Sequence, residues 1–226
     1  MKGKPMKTLA IISQKGGSGK STIAVHLAAY AHAKKHHPAL IDLDPQASAF
    51  KWNAKREEQN KKSPKLEATK TTAAQLAGML KLAEESNLDL VILDTAPHSD
   101  TAAALAAQLA DLVLIPCRPA SFDLEAIAST VAIVTAANKK PYVILNAAPQ
   151  GKLADEARAA LEGQGIAVLP TVMHQRAAFA HAVIDGRAVH EYEPGGKAAE
   201  EITLLYCDIT RLLDNKPTMK TRKAAA

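Results

Sequence analysis

The chain has 226 residues, 47% hydrophobic and only 4% aromatic, with a formal net charge of +5. That length supports one sizeable core, built mainly from Leu, Ile, Val and Ala, and the composition excludes a disordered chain. No apolar run reaches the ~20 residues of a membrane helix, and the two cysteines, Cys117 and Cys207, lie far apart in no metal-like spacing, as in a reduced cytoplasmic protein.

Charge is unevenly placed. Residues 1–41 carry seven lysines and no carboxylate, and residues 215–226 hold Lys216, Lys220, Arg222 and Lys223 without an acid, so the middle of the chain is net acidic. A basic periphery suits anion binding, nucleic acid included, and equally suits solubility.

In chain order, the first apolar run, TLAIIS (8–13), reads as a strand that stops at SQKGGSGKST (13–22). Successive glycines let backbone N–H groups converge on a phosphate, and a helix over 21–35 adds the positive end of its dipole. Gly16, Gly17, Ser18 and Gly19 form the cradle. Lys20 offers a charge to the β- and γ-phosphates, Ser21 a hydroxyl to Mg²⁺, and Thr22 a hydroxyl facing the α-phosphate. The ordinary loop pattern begins with glycine, but position 14 is Gln, and a second lysine, Lys15, stands at the front of the loop.

ALIDLD (39–44) is a second strand, and Asp42 and Asp44, two apart, share a face at its end. They can serve a metal and a water, or cap the helix predicted over 46–63. A helix over 71–86 precedes LDLVILDTAP (88–97), an apolar strand that delivers Asp94 beside the loop, where a carboxylate holds Mg²⁺. A helix over 101–110, the strand DLVLIPC (111–117) and a helix over 121–138 follow. PYVILN (141–146) ends in Asn146, whose amide can read adenine or satisfy a turn. A helix over 151–163, the short strand IAVLP (166–170) and helices over 176–186 and 196–213 complete the pattern. Unbroken apolar strands separated by helices predict an α/β fold, a three-layer, mostly parallel twisted sheet with helices on both faces. It is expected as one domain over 1–214, followed by a patternless basic tail, 215–226.

KGGSGKST, with DLDPQ and LVILDTAP, resembles the deviant Walker A and switch motifs of the ParA/MinD family of P-loop ATPases, and the match spans 8–213. The resemblance implies ATP and Mg²⁺ as cofactors and an ATP-dependent homodimer. Lys15 would reach across a two-fold interface to the partner's nucleotide. Asp44 would orient or activate the attacking water, with Asp42 near the metal and Asp94 holding it. Asn146 would read adenine, with Pro170 lining that pocket.

The tail has almost no apolar face, against the membrane-targeting helix of MinD-like members, and the cysteines do not suit the iron–sulfur members. Only about a dozen residues precede the loop, against the helix-turn-helix domain of larger partition ATPases. The resemblance therefore points to a small partition ATPase, cytoplasmic and nucleoid-associated, with no membrane partner. It would bind nonspecific DNA through Arg176, Arg187, Lys197, Lys216 and Lys220, and a centromere-binding adaptor protein would stimulate hydrolysis. Positioning of a protein cargo, such as a chemoreceptor cluster or microcompartment, stays open, as does a regulatory role without DNA.

Overall fold

Burial on both faces of a strand demands apolar residues at every position, and that condition organises this molecule. The computed structural model describes residues 5–59 and 65–214. Within them, seven strands form one sheet: β1 (Lys7–Ile11), β2 (Pro38–Asp42), β3 (Glu67–Lys70), β4 (Leu90–Asp94), β5 (Leu112–Cys117), β6 (Pro141–Ala148) and β7 (Ala167–His174). Their order is β3-β2-β4-β1-β5-β6-β7, and every pairing is parallel. β2, β4 and β5 are buried at every residue. The expected α/β architecture is the one observed.

The helices are α1 (Lys20–Ala33), α2 (Ser48–Gln59), α3 (Leu76–Glu85), α4 (Asp100–Leu109), α5 (Ser121–Ala136), α6 (Leu153–Gly163), α7 (Ala177–Ile184), α8 (Val189–Tyr192) and α9 (Lys197–Leu213). Alternate strand residues feed two cores. Leu9, Ile11, Leu40, Ile92 and Leu114 pack with α1 and α9, while Ala10, Ile41, Val91, Leu93 and Val113 pack with α3, α4 and α5. α1 is buried from Ile23 to Ala31 because α2 and α9 cover the side turned from the sheet.

Three elements depart from the sequence pattern. β3 is a polar edge strand, EATK, held by its ladder to β2 rather than by apolar burial. α8 is a single turn. β7 runs through Pro170 to His174, where the pattern had ended it at 170. Proline is tolerated there because β7 is the outer strand and its register to β6 shifts between the Val143–Val168 and Leu145–Val172 pairs.

Two polar straps cross the packing. The buried Arg56 of α2 makes a two-pronged ion pair with Glu191 of α8, at 2.6 and 2.5 Å. The buried Asp208 of α9 accepts from the Thr171 hydroxyl at 2.5 Å, tying β7 to the last helix.

Candidate functional site

The carboxyl ends of β1, β2, β4, β5 and β6 meet at one edge of the sheet, where an open cleft of about 1280 Å³ begins at the glycine loop. Gly17, Gly19, Lys20, Ser21, Thr22, Asp44, Arg118, Asn146 and Arg176 all border it. Gly16 is exposed at the outside of the loop. Gly19 must be glycine twice over. Its φ is +97°, and a Cβ there would lie 2.1 Å from the Asn146 amide nitrogen.

Lys20 opens α1 with its ammonium enclosed by the loop, donating to the Lys15 carbonyl at 3.3 Å. Burial lowers its pKa, opposed by the nearby carboxylates of Asp94 and Asp44. Asp94 ends β4 fully buried, and neither of its oxygens has a hydrogen-bond partner. Burial pushes it up to about 7; the Ser21 hydroxyl pulls against this without completing a bond, Asp42 and Asp44 add to it, and Lys20 opposes it. Ser18 Oγ, inside the loop, is likewise buried and unpartnered. Orphaned buried oxygens are uncommon in folded proteins, and a carboxylate beside a serine hydroxyl is the oxygen donor set that a hard cation takes. Asp94 and Ser21 therefore fit Mg²⁺.

Asp42 is differently engaged. One oxygen accepts from the Asp44 N–H at 2.9 Å, and the other from Ala49 and Phe50 N–H at 2.9 and 3.0 Å. Both oxygens hold backbone donors at the start of α2, so Asp42 caps the turn, the second of the two roles a strand-end aspartate can take. Asp44, half-buried in the cleft, accepts from the Gln46 N–H at 2.8 Å.

The loop's two lysines face different spaces. Lys15 does not border the main cleft; it lines a small notch with Ser13, Pro116, Cys117, Asp123, Ala126 and Ile127. Among the described residues it forms no ion pair.

Asn146 borders the cleft, although β6 continues past it to Ala148, and its amide donates to the Ser18 carbonyl at 2.6 Å. Pro170 is not brought to the site. It lies inside β7, with its carbonyl accepting from Arg158 at 3.2 Å, and Met173, His174 and Gln175 border the cleft instead. Arg176, expected to contact DNA, is held by Glu201 at 3.0 and 2.6 Å. Glu201 also binds His174 Nδ1 at 2.8 Å, so this guanidinium is a fixed wall of the cleft rather than a free surface cation. Arg187 pairs with Asp185 and stacks on Tyr192. Lys197 is exposed at the start of α9. Lys216 and Lys220 lie outside the described residues. Arg118, which the sequence reading passed over, follows β5 and stands 3.8 Å from where a Cβ of Gly17 would lie. Its place at a strand's carboxyl end was the available signal.

A family model described as the CobQ/CobB/MinD/ParA nucleotide binding domain matches residues 9–189. The maintenance of carboxysome distribution protein A of Halothiobacillus neapolitanus is 30% identical over 211 residues, covering 89% of this chain and 95% of that protein. The chromosome-partitioning ATPase Soj of Thermus thermophilus is 26% identical, covering 86% and 91%. Among solved structures, an ATP complex of a single-site variant of Cyanothece McdA superposes with a TM-score of 0.74 at 18% identity, covering 97% of this chain and 100% of that one. No helix among the described residues is long and apolar enough to cross a membrane.

Proposed function

This chain belongs to the CobQ/CobB/MinD/ParA nucleotide-binding family, and from that premise we propose that it is a ParA-type ATPase that positions a protein assembly in the cell. The observation that carries the ATPase reading is Asp94, a buried carboxylate with two orphaned oxygens set beside Ser21 and Lys20 at the mouth of the loop.

The residues divide the work as follows. Backbone N–H groups of Gly17 to Thr22 would surround the phosphates, and Lys20, itself buried at the foot of the open cleft, contributes a fixed charge. Ser21 and Asp94 would hold Mg²⁺, which would supply positive charge against the β- and γ-phosphates. Asp44 orients the attacking water and accepts its proton as the bond to the γ-phosphate breaks, releasing ADP and phosphate. Asn146 and the residues after β7 receive the base. Lys15, standing outside its own cleft, completes the site of a second copy. Dimerisation then depends on ATP, because each Lys15 finds its anionic partner only on the triphosphate held by the other copy.

Similarity over nearly the full length to a carboxysome distribution protein favours a protein cargo. The dimer would sit on nonspecific DNA of the nucleoid, and an adaptor on the cargo would stimulate hydrolysis. Similarity to Soj supports a second reading, partition of plasmid or chromosome through a centromere-binding adaptor. Both use ATP-dependent DNA binding, so a mobility shift with nonspecific duplex tests them together. Retention is expected with ATP and not with ADP, weakening steeply with salt. Equal retention in both nucleotides, or none, refutes this reading. Deleting neighbouring genes then separates the cargoes by whether a protein focus or a plasmid is lost from its position.

A further inference from the structure

We propose that Gln14 is a positioning residue that holds Lys15 in its partner-facing place and links that place to the segment following Asp94. This rests on the role given to Lys15 above.

Gln14 stands where an ordinary phosphate loop has glycine, and it is buried. Its side-chain amide donates to Asp100 Oδ1 in the first turn of α4, at 2.8 Å and 86 residues away in sequence. Its backbone N–H donates to the Thr130 hydroxyl of α5 at 3.1 Å. One residue is thus tied to two helices immediately before Lys15. Both helices lie on the face of the sheet where the Lys15 notch is formed, its wall made by Asp123, Ala126 and Ile127 of α5. A glycine at position 14 could make only the backbone contact, leaving the loop's leading edge without its tether to α4.

The second link runs through residues 95–100. Thr95, next to Asp94, donates its hydroxyl to the Ile11 carbonyl at 2.9 Å. Asp100, at the other end of this short segment, holds Gln14. The stretch between the buried carboxylate and α4 is therefore pinned at one end to β1 and at the other to the residue before Lys15. A shift of this stretch on filling of the phosphate site is passed to Lys15 through one hydrogen bond to a charged group.

The dimer dissociation constant, measured by sedimentation with a slowly hydrolysed ATP analogue, tests this alongside monomer affinity for a fluorescent ADP. Gln14→Ala and Asp100→Ala are expected to keep ADP affinity within about twofold and to weaken the dimer about tenfold, as loss of one charge-assisted hydrogen bond implies. Asp100→Asn keeps the acceptor oxygen without its charge and should fall between the wild type and Asp100→Ala. Gln14→Glu places two carboxylates together and should weaken the dimer at least as much as Gln14→Ala. Combined with Asp100→Asn, it regains a bond with donor and acceptor exchanged, and dimerisation should recover. Gln14→Ala should add nothing in a Lys15→Gln background. A folded Gln14→Ala that dimerises as the wild type, or a reciprocal pair that stays as weak as Gln14→Glu alone, overturns the proposal. If Lys15→Gln itself dimerises normally, the underlying role of Lys15 is wrong instead.

Discussion

Replacing Asp94 by Asn should make the nucleotide-free protein more stable. The carboxylate is fully buried, its oxygens have no partner, and burial pushes its pKa up to about 7 from an ordinary value of 3.8. Between those values the folded state binds more protons than the unfolded state, so stability falls as pH rises through this window and is flat above it. A rise of about 3 in pKa corresponds to about 4 kcal/mol at pH 8, falling to about 1 kcal/mol at pH 4.5. Asn removes this penalty while keeping the shape. Allowing for relaxation around the charge, the variant should gain about 2–4 kcal/mol at pH 8, or roughly 5–15 °C in Tm for a chain of this size. Urea unfolding of both proteins at pH 8 and pH 4.5, without nucleotide, gives the difference directly. The same variant should lose the further stabilisation that Mg²⁺ adds to ATP in the wild type. An Asp94→Asn protein no more stable than the wild type at pH 8, or one whose advantage grows toward acid pH, would refute the reasoning.

Four further outcomes are expected. Lys20→Ala removes the enclosed charge of the loop and should abolish ATP binding in calorimetry; retained affinity would count against the cradle. Asp44→Ala should bind ATP yet lower turnover at least ~100-fold, in line with loss of a group that positions the reacting water, and so accumulate an ATP-bound dimer. Gly19→Ala would drive a Cβ into the Asn146 amide at a positive φ; nucleotide affinity should fall at least tenfold, and an unaffected affinity would show that Asn146 yields freely. Arg56→Ala strips the partner from Glu191 and should cost about 3 kcal/mol in denaturant unfolding, and a loss below about 1 kcal/mol would mean that the pair contributes little.

The sheet's centre was legible because burial on both faces writes itself as unbroken apolar runs such as LVILD and LVLIPC. The loop and the three strand-end residues Asp42, Asp44 and Asp94 could be placed at one edge by topology alone. Asp42 shows the limit: a carboxylate at a strand end reads the same whether it awaits a metal or already holds three backbone N–H groups. β3 left no trace because an edge strand needs only a ladder, and EATK supplies one without an apolar face. Pro170 misled because proline lacks the N–H a ladder needs, a loss that the outermost strand tolerates at a register shift. The Gln14–Asp100 and Arg56–Glu191 pairs join residues 86 and 135 positions apart, beyond the reach of any local period.

The position of β1 also bears on how this protein is made. Its neighbours in the sheet are β4 and β5, so the strand carrying the glycine loop has no bonded partner until Asp94 and then Cys117 have been synthesised. Parallel pairing over such distances is slow to form. At ~5–20 residues per second, the loop waits at least several seconds behind its own translation before it can take a firm shape. Asn146 and the wall after β7 arrive later still. A nascent chain thus cannot assemble the whole cleft, whose lining runs from Gly17 to Ile184, until most of it has left the ribosome.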